Sequence, residues 1–286
     1  MSYPDGVTAA LQGELLCIAD SNWVLGHWYV NCMLNGRELT DFTSMAGIAE
    51  EKLGHARALF RFMEERYGLP EHQLEFARSA DGVHSMALLD APPQNWADFI
   101  LTLFLADKAL WRFADTLRKG GFAPAANLMT RFGEEAYFHQ LCIDGWLKAL
   151  DHGERNDLAA ALAVRLPQAL PWFDGTEPDP LIDAGIRTEP LASARERFEA
   201  DVRNLSEPVP SVAGVVSRHA FDGAKPIPWD ARRRRPLGSA LPPRLWESIV
   251  PTSEAAQLAR RPLAVSIDDN IDLFGKVKKD ETEPQF

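Results

Sequence analysis

Cysteine is scarce: Cys17, Cys32 and Cys142 are the only three in 286 residues, and no pair has Cys-x-x-Cys spacing. An odd, sparse set argues against a disulfide framework and fits a reducing compartment. Each is read as a small buried hydrophobe. Positive charge is also in short supply. The net charge of −11 gives no general attraction for nucleic acid or anionic lipid, so neither is expected as a partner. No stretch approaches the roughly 20 apolar residues of a membrane span. The opening Met-Ser-Tyr-Pro-Asp has neither the basic nor the apolar region of a signal peptide. A cytoplasmic location without membrane contact is the expectation. The one basic run, Arg232 to Arg235, is short. Its plain reading is a solvated turn; the alternative is a site for an acidic partner or a ligand phosphate.

What is present is an ordinary globular balance, 46% hydrophobic and 25% charged, with length enough for a sizeable core. Apolar residues recur at helical spacing along four long segments. The first runs from about Thr8 to Leu34, stopped by Asn35-Gly36. The second runs from near Thr40 to Tyr67, with Thr40 or Asp41 as cap and Gly68 at its end. The third spans about Trp96 to Lys119 behind Asn95, and the fourth about Pro124 to Leu150. Helices of this length reach about 35–40 Å and bury their stripes best against one another. The weakly patterned stretch 69–94 is read as a crossover between the two helix pairs. Two further helices are expected near 154–170 and 190–205. Residues 206–251 hold eight of the twenty prolines and suit an extended arm packed on the bundle, with a frayed charged end at 275–286. The predicted fold is therefore all-α: a bundle domain over 1–205 and a proline-rich extension over 206–286.

Two segments echo each other. Glu50-Glu51-Lys52-Leu53-Gly54-His55 lies on the second helix and Glu134-Glu135-Ala136-Tyr137-Phe138-His139 on the fourth. Each sets a glutamate and a histidine four apart on one face. Inward Glu and His on alternate helices build carboxylate-bridged di-iron sites, and their oxygen and nitrogen donors suit iron or manganese. The usual spacing, however, is Glu-x-x-His. The residues three before each histidine here are Lys52 and Ala136; a lysine ammonium repels a cation, and alanine offers no ligand. Asp107 stands alone in the apolar run Phe99–Phe113 and needs a partner, either a metal or Lys52. The first helix adds Asp20 and His27, with Asn22 and Trp23 at the level of a ligand. Either Glu51, His55, Asp107, Glu135 and His139 hold a non-haem di-iron centre, or Lys52, Asp107, Asp20 and His27 form a polar cluster in its place. Trp23, Trp28, Trp96, Trp111 and Trp146 are core by default, with the wall of an aromatic-substrate pocket as the alternative.

Asp20-Ser-Asn-Trp-Val-Leu-Gly-His27, Ala49-Glu-Glu-Lys-Leu-Gly-His-Ala-Arg57 and Glu135-x-x-x-His139 with Trp146 resemble the phenylacetic acid catabolic family (PaaA/PaaC). The likeness spans about residues 10–155. It implies a ferritin-like fold and a place in a multicomponent phenylacetyl-CoA epoxidase. In such enzymes an A-type subunit carries the di-iron centre, and a C-type subunit that has lost most ligands is structural. Lys52-x-x-His55 and Ala136-x-x-His139 bring this chain nearer the C-type, while His55 and Asp107 depart from common C-type sequences. The resemblance implies a homologous catalytic subunit or a second copy as partner, and a CoA thioester as possible substrate. A diverged di-iron oxygenase or oxidase that is itself catalytic is the alternative. A scaffold protein built on the acidic bundle and the proline-rich arm is a third.

Overall fold

The computed structural model describes residues 3–175, 178–216, 221 and 228–250. Four long helices dominate it: α1 (Asp5–Cys32), α2 (Leu39–Tyr67), α3 (Trp96–Arg118) and α4 (Ala123–Ala149). Each lies within about three residues of its predicted bounds. Short links join α1 to α2 and α3 to α4 into antiparallel hairpins. Gly68 ends α2 at φ 69°, a left-handed cap that glycine adopts without strain. Gly120 is required for a different reason: a β-carbon there would sit 1.8 Å from the Ile186 carbonyl oxygen. Asn95 caps α3 by accepting from the Asp98 amide. The expected Thr40 or Asp41 cap on α2 is not used, because the N-cap is Glu38 and makes no side-chain bond. Asp41 instead accepts from the Arg37 amide and from the Trp146 indole, tying α2 to the end of α4.

Since α3 runs parallel to α2, the chain must travel back along a 29-residue helix, about 43 Å. The 68–95 segment makes this crossover in single turns. Asp20 holds it down: its carboxylate accepts from both terminal nitrogens of Arg78 at 2.8 and 2.6 Å and from the His84 amide at 2.6 Å. Trp28 reaches the same segment through the Leu89 carbonyl.

α5 (His152–Ala169), opened by an Asp151–Glu154 capping box, and α7 (Leu191–Asn204) pack on α3, with the single turn α6 (Pro180–Asp183) between them. Then come α8 (Ala213–Val216), a minimal hairpin of β1 (Trp229–Asp230) with β2 (Arg235–Pro236), and α9 (Pro243–Ile249) against α1. This hairpin is the strand content among the described residues, so the all-α expectation holds in substance. The expected frayed end at 275–286 lies outside the described residues.

The Arg232–Arg235 run is corrected from a solvated turn to a clamp at Arg233, Arg234 and Arg235, while Arg232 is exposed. Arg234 and Arg235 are buried. Arg235 donates to Asp90 at 2.6 Å and to the Ser85 carbonyl. Arg234 donates to Glu14 on α1 and to the Trp172 and Asp174 carbonyls. Arg233 donates to the Val83 carbonyl. Arg234 takes φ 54°, at a cost of about 1–2 kcal/mol for a residue with a β-carbon. The left-handed step sends successive guanidinium groups to different elements, so the clamp joins α1, the crossover and the arm.

Candidate functional site at the bundle centre

The central polar residues sit where α2 and α4 face each other, with α3 and α1 behind. Lys52 and Asp107 are 4% and 8% exposed, and the lysine ammonium is hydrogen-bonded to Asp107 Oδ1. A buried ammonium or carboxylate without an opposite charge is costly, so each accounts for the other.

Around this ion pair the two Glu-x-x-x-His motifs cross. His55 Nε2 meets Glu135, and His139 Nε2 meets Glu51 at 2.5 Å. The pairing 51 with 139 and 55 with 135 shows that α2 and α4 are antiparallel. On antiparallel helices a four-residue Glu-to-His spacing makes the pairs reciprocal. His55 also stacks on Phe132 with ring centroids 4.0 Å apart.

The histidines are held neutral. Burial pushes His55 down to about 4, with the Lys52 charge adding to the effect and Glu135 opposing it. Burial, then Lys52, pushes His139 to about 2. A neutral ring facing an ionised carboxylate donates from Nε2, leaving Nδ1 of His139 as a buried acceptor with no protein partner. Glu51 is shifted upward by partial burial and by Glu135, against the pull of Lys52.

A cleft of about 20 Å³, room for one water, opens beside the ion pair, lined by Asn22, Lys52, His55, Asp107, Trp111 and Ala136 among others. Lys52 and Ala136 line it, whereas Glu51 and Glu135 reach the histidines from the partly exposed rim. The position three before each histidine is therefore the central one, and it carries an ammonium and a methyl group. Trp111 fills the wall over Gly133, where a β-carbon would fall 2.3 Å from its ring.

Of the residues read from the sequence, Lys52, His55, Asp107, Glu51, Glu135 and His139 come together. Asp20 and His27 do not join them. Asp20 is consumed by Arg78 in the crossover, and His27 stands edge-on to Trp23. Trp23, Trp28, Trp96 and Trp146 are buried. Phe132 was not singled out from the sequence; its helical offset of seven from His139 is the signal that places it on the inner face.

The donor set does not fit a di-iron centre. Lys52 puts positive charge where a bridging carboxylate is needed. Both histidines are engaged by carboxylates, and among the described residues no three His, Cys, Asp or Glu side chains converge on a point.

No helix among the described residues is long and apolar enough to cross a membrane. No curated protein matches the chain. The family of phenylacetic acid catabolic proteins (PaaA/PaaC), whose fold is ferritin-like, matches residues 2–213, covering all four bundle helices, and spans A-type and C-type members alike. The chain belongs to this phenylacetic acid catabolic protein family.

Proposed function

We propose that this chain is the structural, non-catalytic subunit of a multicomponent phenylacetyl-CoA-type ring epoxidase. Its centre is an ion pair in place of a metal, and a homologous A-type subunit supplies the di-iron chemistry. The observation that carries this reading is the Lys52–Asp107 pair at the level of the metal-ligating positions. An ammonium supplies the positive charge that the buried Asp107 needs, and it cannot bind or activate dioxygen.

Further support comes from the outer face of α4, where Tyr137 and Phe138 are each 62% exposed and Leu141 lies beside them. Large apolar side chains grouped on one helix face suit burial against another chain. The experiment is co-expression with an A-type subunit followed by affinity capture. A stoichiometric complex that epoxidises the CoA thioester, and whose activity survives substitution of His55 and His139 in this chain, is the expected result. Ring oxidation by this chain alone would overturn it.

A further inference from the structure

Arg233, Arg234 and Arg235 are engaged in the clamp. Arg57 and Arg61 on α2 and Arg131 on α4 are placed to meet an anion. All three line a groove of about 650 Å³ between these helices, outside the central cluster.

Their engagement differs in kind from that of Arg78 and Arg165. Arg78 holds Asp20 with two bonds of 2.8 and 2.6 Å, and Arg165 holds Asp98 with two of 2.8 and 2.7 Å. The groove arginines reach acids only at 3.4 Å (Arg57 to Glu75), 3.6 Å (Arg61 to Glu71) and 3.4 Å (Arg131 to Glu135). Their side chains are 64%, 70% and 76% exposed. Three loosely held guanidinium groups thus share one concavity of a chain whose net charge is −11. Glu65 and Glu71 also line it.

The floor is apolar: Phe62, Leu128, Ala58 and Pro124. A fork of N–H donors matches phosphate or carboxylate oxygens. An apolar floor under such donors suits a molecule with a hydrocarbon or ring portion, and the volume is within the range of small-molecule sites.

We infer that this groove binds a soluble organic anion, a phosphate or carboxylate group carried on an apolar body. The site goes beyond the subunit reading and does not depend on it. It lies next to the centre, because Arg131 touches Glu135, the carboxylate that faces His55.

The test uses the full chain and anilinonaphthalene sulfonate, a fluorescent aromatic anion. Saturable one-site binding that weakens with salt and is displaced by inorganic pyrophosphate is the expected result. The Arg61→Gln/Arg131→Gln variant, which leaves the contact of Arg57 to the buried Glu75 in place, should bind at least about tenfold more weakly with an unchanged melting temperature, and the Arg57→Gln/Arg61→Gln/Arg131→Gln variant should bind more weakly still. A Leu128→Gln variant should weaken the dye but not pyrophosphate. Equal dye binding by the triple variant, failure of pyrophosphate to compete, or binding only to anionic phospholipid vesicles would each overturn the proposal.

Discussion

Lys52 is the residue on which the account turns. Removing its ammonium leaves Asp107 charged and buried, with Oδ2 already lacking a protein partner. Lys52→Ala is expected to cost about 3–5 kcal/mol, read as a lower denaturant midpoint. Pairing Lys52→Met with Asp107→Leu should recover most of that loss, since an apolar pair of similar size needs no compensation. If the single variant unfolds like the parent, the pair is not buried in solution. The sequence already marked these two residues, because a lone Asp in an apolar run and a Lys before a bundle histidine each need a partner. It could not separate Asp20 from them. Asp20 is a carboxylate on an inward helix like the others, and its true partner, Arg78, lies 58 positions away in the weakly patterned crossover.

Helices α2 and α4 are joined across the centre by the crossed Glu–His pairs, and this makes their packing sensitive to acid. The folded values of His55 and His84, both about 4, and of His139, about 2, lie below the ordinary 6.5. As pH falls below about 6.5 the unfolded chain takes up protons that the folded chain does not, so stability declines toward pH 4. The lowered carboxyl of Glu14 acts in the same direction. The raised carboxyls of Glu51 and Asp90 act in the opposite one, since their contribution is lost as pH rises. With three histidines on one side, the net expectation is a lower unfolding free energy at pH 5 than at pH 7, with a shallower slope in His139→Asn. A pH-independent midpoint would contradict it. Helix existence and bounds were legible because periodicity, Gly68 and Asn95 act locally. The Asp41 cap was misjudged because that carboxylate serves Trp146, 105 positions away, and tertiary demand outweighs a local preference.

At the scale of the whole molecule, the arm is fastened by the arginines that looked like a solvated turn. Their burial was hidden from the sequence because the partners (Glu14, Asp90 and backbone carbonyls of the crossover) are scattered along the chain. Arg235→Ala should cost about 3–5 kcal/mol by stranding Asp90 and Ser85 and should speed limited proteolysis near β1 and β2. An unchanged cleavage pattern would mean that the clamp is dispensable. Bundle, crossover and clamp together hold a centre occupied by a buried ion pair. The most direct measurement is the metal content of the purified chain after anaerobic reconstitution with ferrous iron, by plasma mass spectrometry. The account predicts no stoichiometric iron in the parent chain. About two irons per chain, as a carboxylate-bridged pair requires, lost in His55→Ala and His139→Ala, would contradict it.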